Sequence, residues 1–301
     1  TVTVRVVDTG EELTESYDAV ALCPGAAPFV PPLPGVDHPD IHVLRRIGDM
    51  DAIKALVDGR DGKPPATHAV VIGAGYIGLE VAAVARQAEL DVTVLEMADR
   101  VMSRVVSPEI SDFYQIEHTN QGVKLRLATG VKSINGKKRV KSVTTSDGDE
   151  IPADVVIIGI GVVPNTELAT AADLDVDDGI VVDDRCQTAD PDIFAIGDCT
   201  SHPNAIYGRR LRLESVHNAL EQAKTAASNI CGVESHYSQV PWFWSDQFDI
   251  KLQIAGLSEG YDEVVLRGDP AGGSFACFYL ADGVLIAVDA INSPREFMQS
   301  K

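Results

Sequence analysis

Apolar and polar residues alternate along the chain with two periods, one of about 2 and one of about 3.6, and their order predicts strands interleaved with helices. Thr1 to Val7 alternates as a strand, Asp8, Thr9 and Gly10 form a turn, and Tyr17 to Leu22 reads as a buried strand, a hairpin-like entry. The proline-rich run from Pro28 to Pro34 reads as an extended linker, and Asp49 to Val57 as a short helix. The apolar run Ala69 to Ile72 then predicts a buried parallel strand. Ile77, Val81, Val84 and Ala88 follow at helical spacing, and Val92 to Leu95 closes a strand, helix, strand unit. Ser107-Pro108-Glu109 opens a helix to about Asn120. Strands are expected around Val123 to Leu127, Val140 to Thr145, Asp154 to Ile160, Ile180 to Val182 and Asp192 to Cys199. Val216, Ala219, Leu220, Ala223, Ala226, Ala227 and Ile230 predict the packed face of a long amphipathic helix. Beyond it, Ile250 to Ile254, Val264 to Leu266, Phe275 to Leu280 and Val284 to Val288 alternate between glycine-rich turns as an antiparallel meander, and Pro294 to Met298 begins a last helix.

The stretch HAVVIGAGYIGLE, His68 to Glu80, places Gly73, Gly75 and Gly78 at the spacing of a dinucleotide-binding turn. Gly73 allows the bend, Gly75 lets backbone amides approach a pyrophosphate, and Gly78 lets the helix pack close. The second strand ends on Glu96, an acid suited to ribose hydroxyls and hostile to a 2′-phosphate, so NADH is expected over NADPH. Arg100 and Arg104 are the residues that could reach such a phosphate. A glycine-rich packing turn without a nucleotide is the alternative. Glu80 reads either as a group beside the nicotinamide or as a helix N-terminal acid favoured by the dipole. Gly159-Ile160-Gly161 follows a buried strand, where open α/β sheets place ligands. Asp198, in DIFAIGDC, either accepts from sugar-like hydroxyls or caps the next helix.

A formal charge of −20 argues against nucleic-acid binding. No apolar run approaches a membrane span. The five cysteines form no CxxC pair, so no zinc or other metal site is read, and a reducing cytoplasm is expected. Basic residues cluster at Lys137, Lys138, Arg139 and Lys141, read as a solvated surface, and at Arg209, Arg210 and Arg212. The first residues read as mid-domain sequence, with no leader.

The motifs VVIGAGYIGLEVAAVARQAELDVTVLE, GIGVVPNTEL, TADPDIFAIGDC, GRRLRLESVHNAL and PWFWSDQFDIKLQIAGL together resemble the FAD-dependent, NADH-using ferredoxin reductases of bacterial oxygenase systems, within the glutathione-reductase superfamily. The resemblance covers the chain from about Tyr17 to its end. It implies an α/β fold of two Rossmann-like nucleotide-binding domains plus a small α+β domain. The FAD-binding domain would be residues 1–40 and 165–237, interrupted by an NAD-binding domain at 41–164, with an antiparallel-sheet domain at 238–301. Carried over by motif, Gly73, Gly75, Ile77, Gly78, Glu80 and Glu96 are implied at the NAD site, with Gly161 near the nicotinamide. Asp198 is implied on the flavin's ribityl chain, Val216 against the isoalloxazine, Trp244 beside the ring and Arg45 near the flavin. Two departures stand out. The family's first GxGxxG is not in the sequence, and Cys23-Pro24-Gly25 replaces Ala-Thr-Gly.

The function so implied is electron transfer from NADH through FAD to a [2Fe–2S] ferredoxin serving a cytochrome P450 or a ring-hydroxylating dioxygenase, with Glu80 and Trp244 at the reacting centre. Lys224, Arg209 and Arg210 are the docking residues expected for an acidic ferredoxin. The protein would be a monomer or homodimer. The alternatives are an NADH oxidase or apoptosis-inducing-factor-like flavoprotein, and a flavinless NAD-binding remnant without catalysis.

Overall fold

A computed structural model describes residues 1–59 and 64–301. The chain divides into two compact units, Thr1–Ala26 with Pro164–Pro241, and Ala27–Val163 with Trp242–Lys301.

The larger unit is built on five parallel strands in the order Ile41–His42, Val155–Ile158, His68–Ile72, Asp91–Leu95 and Lys124–Arg126. Both faces of the sheet are covered, which explains the unbroken apolar runs. On one face Val70, Ile72, Leu95, Val156 and Ile158 meet Ile134, Val140 and Val143 of a three-stranded antiparallel sheet, Val131–Gly136, Val140–Thr145 and Glu150–Pro152. On the other face Ala69, Val71, Val92, Val94, Val155 and Ile157 join Leu79 and Ala82 of the helix Tyr76–Gln87, and Ile110 and Tyr114 of the helix Pro108–Asn120. The C-terminal sheet adds Leu252, Phe275 and Tyr279 to that same core.

The C-terminal strands are antiparallel, but their order departs from the expected meander. Trp242–Gln247, which the sequence pattern did not signal, forms an edge beside Ile250–Gly256. The last strand, Val284–Ile291, lies between Ile250–Gly256 and Ser274–Ala281, with Glu263–Asp269 outside.

In the smaller unit the entry hairpin pairs Val2–Arg5 with Glu12–Glu15, not with the stretch ending at Leu22. Val20–Leu22 instead pairs in parallel with Ile193–Ala195. Leu22 is thereby drawn into the core around Ala195, and the preceding Ala19 into the one around Phe194, while all eight hairpin residues stay exposed. The helix Val216–Ile230 also departs from expectation. It buries Asn218, Gln222, Thr225, Ala226 and Asn229 and leaves Val216 and Leu220 more than half exposed. Asn218, Gln222 and Asn229 are buried because each bonds to loop backbone or a neighbour. Gln222 Oε1 accepts from Gly197 N at 2.7 Å, Asn229 Nδ2 donates to Arg185 O at 3.1 Å and Ser235 O at 2.8 Å, and Tyr237 Oη donates to Asn218 Oδ1 at 2.8 Å.

Candidate functional site

The glycine turn is a place where three stretches of backbone touch. A Cβ on Gly78 would stand 2.0 Å from Gly73 O, and one on Gly73, whose φ is +101°, would stand 2.5 Å from Gly159 O. Gly159 N in turn donates to Ile72 O at 2.8 Å, so the two loops that follow adjacent parallel strands are locked together. Gly75 behaves differently: it caps the helix Tyr76–Gln87 without a side-chain acceptor, and a Cβ there would meet nothing within 4 Å. Gly161 is similarly open, at φ +116°. Close packing below and open space above are what a dinucleotide's pyrophosphate needs at a helix start.

Glu96 stands at the end of the adjacent strand, Asp91–Leu95, with Oε2 accepting from Ala74 N at 2.7 Å and Oε1 from Ala98 N at 2.9 Å. Its carboxylate is therefore fixed against the glycine turn, and each oxygen keeps a lone pair for a hydroxyl. Arg100 is turned away. Its guanidinium donates to Val106 O at 2.8 Å, Ser103 O at 2.7 Å and Ser111 Oγ at 2.7 Å. Arg104 is exposed.

The apolar stripe of the glycine-motif helix is only partly turned to the sheet, with Val81 packed against its core. Gly78, Leu79, Ala82 and Ala83 are buried, mostly small residues that permit a close approach, whereas Ile77 and Val84 are exposed. Val81, Val84, Ala85 and Ala88 also line a cleft of about 540 Å³ shared with Val57, Leu90 and Ile157. Its polar members are Lys54, Glu80 and Asp246, and Trp244 also lines it. Trp244 is 44 % exposed, while Trp242 packs on Phe297 with ring centroids 5.7 Å apart. Glu80 and Trp244 thus meet in one cleft. Arg45 lies exposed at the entry to the helix Ile47–Asp58, its backbone N–H held by Asp49 Oδ2 at 2.9 Å.

Glu80 accepts a 2.5 Å hydrogen bond from Ser245 Oγ. Burial pushes its carboxyl up from the usual range, the Ser245 hydroxyl pulls it back, and Asp246 adds to the push. Ser245, Gln247 and His118, all buried around Glu80, were not singled out by motif spacing. The only sequence signal for the first two is the period-2 placement of Ser245 and Gln247 within PWFWSDQ.

In the smaller unit Asp198 is half-buried beyond the strand Ile193–Ala195, and the preceding Gly197, φ +83°, lies with its Cβ position 3.6 Å from Ala219 Cβ. The turn therefore rests on the first turns of the helix that Val216 opens, bringing Asp198 and Val216 into one region. A half-buried carboxylate beside an open helix start suits a hydroxyl-bearing chain and the edge of a flat ring. The Cys23-Pro24-Gly25 turn is fixed by Asn165, which donates from Nδ2 to Pro24 O at 2.8 Å and from its backbone to Gly25 O at 2.9 Å. Of the basic residues, Arg210 is committed to Val182 O and Ser201 O, Arg212 to Asp178 and Glu214, and exposed Lys224 pairs with Glu221 at 2.5 Å. All five cysteines are free, and among the described residues no metal-binding cluster occurs. No described helix is long and apolar enough to cross a membrane.

The model of the pyridine nucleotide-disulphide oxidoreductase family matches residues 1–223. The chain belongs to that family. A reductase C-terminal domain model matches residues 242–301 of the chain. It is 45 % identical over 286 residues to rhodocoxin reductase of Rhodococcus erythropolis, covering 95 % of this chain and 66 % of that one. It is 44 % identical over 295 residues to putidaredoxin reductase of Pseudomonas putida, covering 95 % and 68 %. The chain thus spans about two thirds of the length of these curated relatives. Among solved structures it superposes with a TM-score of 0.91 on the putidaredoxin reductase of a covalent complex with putidaredoxin, at 43 % identity, covering 99 % of this chain and 71 % of that one. The TM-score is also 0.91, at 39 % identity, for the ferredoxin reductase of the CYP199A2 system from Rhodopseudomonas palustris, covering 98 % and 71 %.

Proposed function

We propose that this oxidoreductase is a flavoprotein ferredoxin reductase that takes reducing equivalents from NADH and passes them through FAD to a [2Fe–2S] ferredoxin of an oxygenase system, working in the cytoplasm. The observation that carries the reading is the pairing of an open dinucleotide turn with Glu80 and Trp244 in one cleft of the same unit. The names of its relatives, reductases serving P450 and oxygenase systems, support the same class.

FAD, when bound, would supply the means to take two electrons together as one hydride and give them up one at a time. The chain's own residues bind and orient. Gly75 and the amides after it would take the pyrophosphate, with Gly73 and Gly78 shaping the turn, Ile77 beside them and Gly161 leaving room for the nicotinamide. Glu96 would take the ribose hydroxyls, Glu80 would orient the nicotinamide ring, and Trp244 would wall off the flat ring system. In the smaller unit Asp198 and Val216 are the proposed flavin contacts, and Arg45 is another in the larger. Lys224, Arg209 and Arg210 remain the proposed ferredoxin-facing cations. Of these, Lys224 presents its charge outward, because its exposed ion pair with Glu221 opens at little cost.

The test is the visible spectrum of the purified protein after incubation with FAD, then anaerobic NADH, then a [2Fe–2S] ferredoxin. A flavin band bleached by NADH and restored by the ferredoxin is the expected result. A bleached flavin that only oxygen reoxidises would make the protein an NADH oxidase, and a colourless NADH-binding protein would remove the catalytic reading. The coenzyme preference follows from Glu96. Glu96→Ala is expected to weaken NADH binding by about tenfold while leaving NADPH binding unchanged or improved, measured as two dissociation constants by coenzyme fluorescence.

A further inference from the structure

The strand Trp242–Gln247 carries Phe243, Ser245 and Gln247 at alternating positions, on the face turned to the nucleotide-binding helices. Phe243 packs edge-on against Tyr76, centroids 4.9 Å apart. Ser245 and Gln247 instead make polar contacts in a place with no access to water, exposed 1 % and 0 %. Ser245 Oγ is 2.5 Å from Glu80 Oε1, Gln247 Nε2 is 3.1 Å from Ser245 Oγ, and Gln247 Oε1 is 2.9 Å from His118 Nε2.

With Glu80 ionised, the hydrogens along this chain have one consistent arrangement. His118 is fully buried and its Nδ1 has no hydrogen-bond partner among the described residues. Burial lowers its affinity for a second proton, so it is a neutral imidazole. Facing a carboxamide oxygen, it carries its proton on Nε2. Gln247 then donates from Nε2 to Ser245, and Ser245, having accepted there, directs its one O–H at Glu80. Three donors in series end on a carboxylate. The reverse arrangement would leave Glu80 Oε1 without a donor and place two acceptors face to face.

We infer that His118, Gln247 and Ser245 form a buried positioning relay that fixes the orientation of the Glu80 carboxylate and holds it ionised. Oε1 is bound by the relay, and Oε2 carries no protein hydrogen bond among the described residues. The use of Glu80 on nicotinamide rests on the reductase reading; the relay does not. Glu80 shares its cleft with Lys54, from the helix Ile47–Asp58, and Asp246, from the relay's own strand, while Tyr114, from the helix Pro108–Asn120, lies within range of its charge. Glu117 acts on His118 from the same helix. Burial and, after it, Asp246 oppose ionisation of Glu80, and the relay counters them in part.

The relay can be read without flavin. Carboxylate ¹³C resonances are followed against pH in protein labelled at glutamate, with Glu80 assigned by its loss in Glu80→Gln. Ser245→Ala removes the last donor and should raise the Glu80 midpoint by about one pH unit or more, the effect of losing a hydrogen bond to a charged group. Gln247→Leu should raise it by less, because Ser245 remains, and Ser245→Thr should return it to the wild-type value. A wild-type midpoint in a folded Ser245→Ala, or in a folded Gln247→Leu, overturns the relay. NADH binding, measured on the same proteins, separates the two ideas. A shifted midpoint in a protein that does not bind NADH keeps the relay and removes the reductase reading, whereas NADH binding with unmoved midpoints removes the relay alone.

Discussion

Gly78→Ala is expected to abolish NADH binding, by at least a hundredfold, and to destabilise the protein, whereas Gly75→Ala is expected to cost affinity alone. A methyl at position 78 would lie 2.0 Å from Gly73 O, a backbone atom that cannot rotate away. Relief requires the helix Tyr76–Gln87 to lift from the sheet, and overpacking of this kind costs about 1–3 kcal/mol or more. The lift would also disturb Gly73, which is itself against Gly159 O, so both loops beneath the coenzyme would move. At position 75 the methyl meets no protein atom within 4 Å, and the backbone there, φ −78°, suits alanine. Only a ligand drawn close to the amides would feel it. A melting curve and an NADH fluorescence titration on the two variants give the result: Gly75→Ala with wild-type stability and affinity weakened about tenfold or more places a ligand over the turn. Wild-type affinity in Gly75→Ala would leave the turn as a packing device.

The same contrast explains what the sequence could and could not tell. The glycine spacing, the strands around it and Glu96 at the end of the second strand were legible because each is a backbone requirement with few chemical solutions. The facing of the helices was not. Ile77, Val81, Val84 and Ala88 form an apolar stripe, yet Ile77 and Val84 are exposed and the fully buried positions are Gly78, Leu79, Ala82 and Ala83, because close approach favours small residues over large ones. In Val216–Ile230 the stripe again misleads, since Asn218, Gln222 and Asn229 are recruited inward by loop carbonyls and amides whose positions no periodicity encodes. Hydrogen-bond demand set by distant chain outweighed local amphipathicity. For the same reason Ser245 and Gln247 were not recognised as site residues. Their role depends on Glu80 and His118, 165 and 129 residues away.

That Arg210 is tied to Val182 O and Ser201 O shows the limit of reading charge from sequence. Three arginines within four positions suggest a basic landing surface, but guanidinium groups also bind backbone carbonyls, each of which has a second lone pair to offer. Arg212 is likewise neutralised by Asp178 and Glu214. On a chain of net charge −20, outward positive charge is scarcer than the count of basic residues implies.

Asp289→Asn is expected to gain stability on the wild type as pH rises from 5.5 to 8.5. Asp289 lies 1 % exposed in the last strand of the C-terminal sheet, where Tyr279 Oη donates to its Oδ2 at 2.5 Å and its Oδ1 has no partner among the described residues. The same Tyr279 oxygen accepts from Ser107 N at 3.1 Å, at the entry to the helix Pro108–Asn120, so Asp289 orients the group that ties this helix to the sheet. Burial pushes its carboxyl up to about 7 from an ordinary 3.8, against the pull of the Tyr279 hydrogen bond. A folded state that holds a proton more tightly than the unfolded chain is stabilised by acid. Asp289's contribution is complete below about pH 4 and is lost as pH passes through 7, amounting to about 2 kcal/mol between pH 5.5 and 8.5. Asp49 and Asp154 are lowered and lose their contributions only below about pH 4, outside this window. His118 and His202, also lowered, work in the opposite sense below about pH 6.5. The decisive quantity is therefore the difference between wild type and Asp289→Asn in urea denaturation at each pH. Asparagine keeps an acceptor for Tyr279 and never ionises, so the variant should gain on the wild type by about 2 kcal/mol from pH 5.5 to 8.5. A difference that stays constant with pH would show that Asp289 is ionised in the fold throughout, with its second oxygen satisfied.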